Sequence, residues 1–176
     1  MTLWVFAYGS LLWNPGFPVV EAVPASLDGW HRSFCMRSIH HRGTVENPGL
    51  VLALDEDAAA VCHGMALGAP AASAEDTIAY LRERELISSA YVERYLPLTL
   101  ADGRRVDAVT YVIDTDHDQY CRSLPLEEQA RIIARAVGGR GPNAEYLHNT
   151  VTHLVQMGIE DADLQWLDRQ VRLLCR

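Results

Sequence analysis

The chain has 176 residues, 49% of them hydrophobic and 22% charged, with 12 glycines, 8 prolines and 4 cysteines. Such fractions exclude a disordered chain, a collagen-like repeat or a coiled coil, and the length suits a single domain over residues 1–176. Against 23 acidic residues stand 15 basic ones, a net charge of −8, so neither nucleic acid nor an anionic membrane is expected as main partner, because both demand a basic surface.

Taken in order, Trp4-Val5-Phe6-Ala7-Tyr8 is apolar, rich in strand formers and followed by glycine, which predicts a buried strand. Gly9-Ser10 breaks it, and Asn14-Pro15-Gly16 predicts a turn. Between residues 19 and 38, β-branched and aromatic residues are interrupted by Pro24 and Asp28-Gly29, which predicts strands joined by a turn. Residues 40–49 are too polar and too rich in Gly and Pro for a core element. They read as a loop, the kind of segment that tends to carry function. Strands are expected at 50–54 and 61–67, separated by an acidic turn at 55–57.

Ser73-x-x-Asp76 resembles a capping box at the start of a helix. On that helix Ile78, Leu81 and Glu85 are spaced to share one face. Residues 91–100 and 105–113 predict a hairpin turned at Ala101-Asp102-Gly103. Three more helices are expected: over 125–137 with Val137 inward, over 143–157 capped by Asn143, and from 161 onward with Leu164, Leu167, Val171 and Leu174 on one stripe. Gly138-Gly139-Arg140-Gly141 lacks the Lys-[Ser/Thr] of a phosphate loop and follows a helix, so it reads as helix punctuation. Strands fill the first two-thirds and helices the last third, which makes the class α+β.

Metal chemistry has no support in the spacing. Cys35, Cys62, Cys121 and Cys175 form no C-x-x-C pair, and the histidines form no H-x-x-x-H or HExxH pattern. Each cysteine reads as a small hydrophobe. No apolar run approaches the ~20 residues needed to span a bilayer. The N-terminus lacks a basic region ahead of its apolar residues, so no signal peptide is expected. The expectation is a soluble cytoplasmic protein.

Two features invite a chemical reading. Glu85 projects from the same face as Ile78 and Leu81, where an unpaired carboxylate would lose solvation and become a proton acceptor poised nearer neutrality. The alternative is a helix-end glutamate that turns to solvent or pairs with Arg84 or Arg94. Tyr8-Gly9-Ser10-Leu11 runs from strand into glycine, a turn that exposes backbone N–H groups able to hold a carboxylate or a developing oxyanion. The alternative is an ordinary strand end.

Together with two further segments, these resemble the ChaC-type γ-glutamylcyclotransferases. The segments are Trp4-Val5-Phe6-Ala7-Tyr8-Gly9-Ser10-Leu11-Leu12-Trp13-Asn14-Pro15-Gly16-Phe17, the loop Arg42-Gly43-Thr44-Val45-Glu46-Asn47-Pro48-Gly49, the helix Tyr80-Leu81-Arg82-Glu83-Arg84-Glu85 and Gly141-Pro142-Asn143-Ala144-Glu145-Tyr146-Leu147. The chain carries Ser89-Ala90-Tyr91 where the family often has Gly-Gly-Tyr, and Ala7 where glycine is common. The resemblance implies a mixed β-barrel with flanking helices and a cofactor-free lyase reaction on the small molecule glutathione, giving 5-oxoproline and Cys-Gly. It implies Glu85 as the catalytic acid–base. The backbone of Ala7, Tyr8, Gly9, Ser10, Leu11 and Leu12 would bind substrate, with Tyr91 and the Tyr146 hydroxyl beside it. Arg37 or Arg42 would meet a substrate carboxylate, with pairing to Glu46 as the alternative for these arginines. A monomer is favoured. Other γ-glutamyl amino acids or amines are the nearest alternative substrates, and a non-catalytic γ-glutamyl sensor is the alternative of a different class.

Overall fold

The apolar run at the N-terminus forms strand β1 (Leu3–Ala7), whose Val5, Phe6 and Ala7 are fully buried. It is followed in the computed structural model, which describes residues 2–86 and 90–176, by β2 (Glu21–Ser38), β3 (Gly49–Ala69), helix α1 (Ala74–Leu86), β4 (Tyr91–Leu100) and β5 (Arg105–Ile113). Then come α2 (Leu126–Arg135), a two-stranded ribbon of β6 (Val137–Gly138) and β7 (Gly141–Pro142), α3 (Asn143–Gln156) and α4 (Ala162–Leu174). Of the segment Ser89-Ala90-Tyr91, Ser89 lies outside the described residues. The class is α+β, with the strands in a closed barrel of order β1-β3-β2-β4-β5.

The chain divides into two compact units, one of residues 1–32 and 54–114, the other of residues 33–53 and 115–176. The first holds β1, α1, β4, β5 and the larger parts of β2 and β3. Its barrel is closed by β1, which pairs antiparallel with β3 (Val5 opposite Leu67) and parallel with β5 (Val5 opposite Val109). The hairpin β4–β5 runs in unbroken register from Tyr91 opposite Ile113 to Thr99 opposite Arg105, and Gly103 at its turn takes φ +92°. Phe6, Leu27, Leu81 and Leu98 are among its fully buried side chains. In the second unit α2, α3 and α4 pack pairwise, with Ile133, Leu147, Leu154 and Leu164 buried between them.

Several sequence expectations are corrected. Residues 19–38 hold one strand rather than two joined by a turn. Burial switches from Ala25 and Leu27 to Trp30 and Arg32 across Asp28-Gly29, where Gly29 has φ +86°. That change of parity at a left-handed glycine is the behaviour of a bulge, which bends a strand without ending it. Residues 55–57 likewise lie within the continuous strand β3, where Glu56 and Asp57 face solvent. Acidic residues on an exposed stretch of strand carry the same composition as a turn. Ser73 lies in a short 3-10 turn and its hydroxyl donates to the Pro70 carbonyl, so it does not form the capping box. The second expected helix stops at Arg135, and Val137 is 56% exposed in β6 rather than inward; Leu174 is also exposed.

Asn143 is not a helix cap either. It is fully buried, its Oδ1 accepts from the Leu50 N–H and its Nδ2 donates to the Leu50 carbonyl, both at 2.8 Å. The side-chain amide thus acts as a peptide group that continues the ladder of β3. Gly138-Gly139-Arg140-Gly141 is the turn of the β6–β7 ribbon, zipped to the 40–49 loop. Gly139 N–H donates to the His40 carbonyl and Arg140 N–H to the His41 carbonyl. A Cβ on Gly138 would meet the Gly43 nitrogen at 2.4 Å, so only glycine permits this approach. Among the described residues no helix is long and apolar enough to cross a membrane.

Two measurements check these assignments. Asn143→Ala leaves a buried N–H and a buried carbonyl without partners, and should lower stability by about 2–4 kcal/mol in denaturant titration; a loss below about 0.5 kcal/mol would contradict the ladder role. In the first unit, Arg82 donates two bonds to Glu93 at 3.1 and 3.0 Å, and the Tyr111 hydroxyl donates to Glu93 at 2.9 Å. The Arg82 bond, aided by that of Tyr111 and opposed by burial, holds the Glu93 carboxyl below its usual 4.5. A carboxyl depressed in the folded state contributes stability above its unfolded pKa and loses it as pH falls through the folded value. Melting temperature should therefore fall less steeply from about pH 5 to about pH 2 in Glu93→Gln than in wild type. Equal slopes would show that this carboxyl does not titrate against folding.

Candidate active site

The site is built where β1 ends. Tyr8 is anchored at both of its polar ends. Its hydroxyl donates to the Tyr111 carbonyl at 2.6 Å, and its own carbonyl accepts from Arg32 Nη1 at 3.2 Å. Arg32 is a buried cation that sequence periodicity did not single out; the same Nη1 donates to the His63 carbonyl at 2.9 Å. Ser10, Leu11 and Leu12 then form a single 3-10 turn, with Leu12 N–H donating to the Gly9 carbonyl at 2.9 Å. Within the segment from Ala7 to Leu12 that is expected to hold substrate, the Leu12 N–H is thus taken inside the turn. A 3-10 turn leaves its first N–H groups without partners inside the turn. Those of Gly9, Ser10 and Leu11 are therefore the ones it can present.

Helix α1 carries the other half. Leu81 is fully buried, Glu83 is exposed, and the Glu85 side chain is 14% exposed, so Glu85 belongs to the inward face as its spacing predicts. It is not an unpaired carboxylate. Arg84 Nε lies 3.4 Å from Glu85 Oε1, the pairing that sequence reasoning held as the alternative. Arg84 also donates to the Ser10 hydroxyl at 3.0 Å and to the carbonyls of Asn14 and Pro15. The Tyr111 hydroxyl, buried on β5, is held well above the usual tyrosine range, first by burial, then by its bond to Glu93, and then by the negative charges of Glu93 and Glu85. Tyr91, at the start of β4, is half-buried opposite Ile113 in the same unit.

The remaining expected residues belong to the second unit. Tyr146 is buried, accepts from the Leu52 N–H at 3.4 Å and meets the Phe34 ring edge-on at 6.0 Å. Arg42 stacks over Tyr146 at 5.7 Å, donates to the Pro142 carbonyl at 3.1 Å and faces Glu145 at 4.0 Å rather than Glu46. Burial, with Arg140 nearby, lowers the Arg42 pKa against the opposing pull of Glu145 and Tyr146. Arg37 is held through its backbone, donating its N–H to the Gln119 carbonyl at 2.7 Å. Arg42 and Tyr146 are brought together; Arg37 is not part of that stack. Among the described residues, no group of three or more His, Cys, Asp or Glu side chains converges as a metal site would.

Three likenesses accompany this geometry. A glutathione-specific gamma-glutamylcyclotransferase of Escherichia coli K12 is 37% identical over 172 residues, covering 98% of this chain and 74% of that protein. Gamma-glutamylcyclotransferase 2-3 of Arabidopsis thaliana is 33% identical over 178 residues, covering 98% and 89%. The crystal structure of a gamma-glutamyl cyclotransferase specific to glutathione from yeast superposes with a TM-score of 0.87 at 25% identity, covering 98% of this chain and 96% of that one. The family model described as ChaC-like protein matches residues 3–174. With nearly every residue inside that match, the chain belongs to the ChaC-like family.

Proposed function

We propose that this chain is a cofactor-independent γ-glutamylcyclotransferase that cleaves glutathione to 5-oxoproline and Cys-Gly. The observation that carries the reading is the pairing, in one unit, of the Gly9–Leu11 backbone turn with a shielded carboxylate at Glu85, on a chain whose relatives bear that activity in their names. The family match runs through both units, which supports treating residues 1–176 as one functional domain. The acidic net charge and small-molecule chemistry fit an enzyme acting in the cytoplasm without nucleic acid or membrane.

The reaction explains the residue types. Glu85 takes a proton from the α-ammonium of the glutamyl group. The freed amine attacks the γ-carbonyl carbon of the same residue, and the carbonyl electrons move to oxygen, where backbone N–H groups of the turn stabilise the charge. Collapse breaks the bond to the cysteinyl nitrogen, which takes up the proton that Glu85 returns, while the ring nitrogen gives up its second proton to Glu85 and becomes the amide N–H of 5-oxoproline. That proton passes on to the departing amine, which leaves as an ammonium. Nucleophile and electrophile are already tethered, so the protein's main task is to hold the chain in a near-attack conformer. For a substrate carboxylate, Arg42 is favoured over Arg37, because the Tyr146 ring and the Pro142 carbonyl fix its guanidinium. The Arabidopsis relative, whose name does not specify glutathione, supports other γ-glutamyl amino acids or amines as the second reading.

Incubation with glutathione should release 5-oxoproline. Glu85→Gln should lower turnover by about 10²–10⁴-fold while the protein stays folded, the usual worth of a positioned acid–base group. Glu83→Gln, on the solvent side of the same helix, should turn over like wild type. Equal loss in both variants, or near-normal turnover in Glu85→Gln, would contradict the assignment.

A further inference from the structure

Positions 82 and 84 of α1, two residues apart, carry arginines that serve different partners. Arg82 reaches β4 and bonds Glu93. Arg84 instead reaches back across the chain to the segment after β1. Its Nη2 donates to Ser10 Oγ at 3.0 Å, and its Nη1 is shared among the carbonyls of Asn14 and Pro15 (the latter at 3.3 Å) and the Tyr80 hydroxyl at 3.1 Å. Its Nε faces Glu85 Oε1 at 3.4 Å, and the Arg84 side chain is only 12% exposed. The same segment is pressed on α1 at a second point. Gly16 takes φ +74°, and a Cβ there would meet the Tyr80 hydroxyl oxygen at 1.9 Å.

We propose that Arg84 is a positioning residue: one guanidinium plane clamps residues 10–15 to α1 and thereby fixes the Glu85 carboxylate relative to the backbone N–H groups of the Gly9–Leu11 turn. The inference rests on the reading of Glu85 as the acid–base. A simple counter-ion for Glu85 would need only Nε, and a simple loop staple would need only the two Nη atoms. Using all three from one rigid fork couples the position of the loop to that of the carboxylate. An ammonium on a flexible stem cannot do this, because it is a point charge without a planar set of donors. A misplacement of about 1 Å in such an arrangement can lower a rate by ~10²-fold.

The test compares Arg84→Ala, Arg84→Lys and Glu85→Gln by thermal melting and by glutathione turnover. Arg84→Ala should remain folded, with kcat down by about 10–100-fold and KM changed far less, since the turn still binds substrate but no longer aligns it. Millimolar methylguanidinium should restore turnover to Arg84→Ala in a saturable way and should do nothing for Glu85→Gln. Arg84→Lys should fold and stay well below wild type. If Arg84→Ala turns over like wild type while Glu85→Gln is inactive, the clamp is wrong and the acid–base assignment stands. If Glu85→Gln is active, that assignment is wrong, and the clamp stands or falls on methylguanidinium rescue. Should neither Arg84 variant give a folded protein, Arg84 is purely structural and the proposal is overturned.

Discussion

Closure of the barrel through β1 is the constraint on which the first unit depends. One edge of β1 pairs antiparallel with β3 and the other pairs parallel with β5. A strand held on both edges cannot slip by one residue without turning its buried side chains to the opposite face. The point where β1 ends is therefore fixed, and with it the point where Tyr8 enters the loop. Arg32 and the Tyr111 carbonyl then hold Tyr8 at its two polar ends, so the turn of Ser10, Leu11 and Leu12 starts from a rigid support. Rigidity matters because an oxyanion is stabilised only by donors already in place when charge develops.

The second unit follows the same logic with different chemistry. Asn143 substitutes an amide side chain for a missing ladder partner of Leu50, and the β6–β7 ribbon ties its backbone to the 40–49 loop. A loop of that composition would lack order by itself, since its glycines and prolines favour no regular element. Backbone bonds to His40 and His41 supply what side chains do not. Arg42 is held in this setting over Tyr146, where burial opposes its charge and favours an anionic neighbour.

Much of this was legible in the sequence where the signal was local. The β4–β5 hairpin announced itself through strand formers around Asp102-Gly103, and the inward face of α1 through the spacing of Leu81 and Glu85. What misled was local composition with a tertiary meaning. Asp28-Gly29 has the residues of a turn and serves a bulge, and the acids of β3 have the residues of a turn and serve an exposed stretch of strand. Ser73 and Asn143 carry capping side chains, yet one bonds backward to Pro70 and the other reaches Leu50. Arg32 donates to the carbonyls of Tyr8 and His63, and Arg84 adds the carbonyls of Asn14 and Pro15 to its side-chain partners. A carbonyl has no residue identity, so no pattern of side chains could have pointed to these backbone contacts.

The proposed reaction turns on intramolecular attack: the substrate's own amine, not water, displaces the leaving dipeptide. A carboxylate beside a turn of N–H groups could in principle serve a hydrolase as well, and the two reactions differ in where oxygen comes from. The most direct measurement is mass spectrometry of products formed from glutathione in water enriched in heavy oxygen. Cyclisation predicts 5-oxoproline and Cys-Gly with no solvent oxygen incorporated by the reaction. Glutamate carrying one heavy oxygen in its side-chain carboxylate would contradict the account.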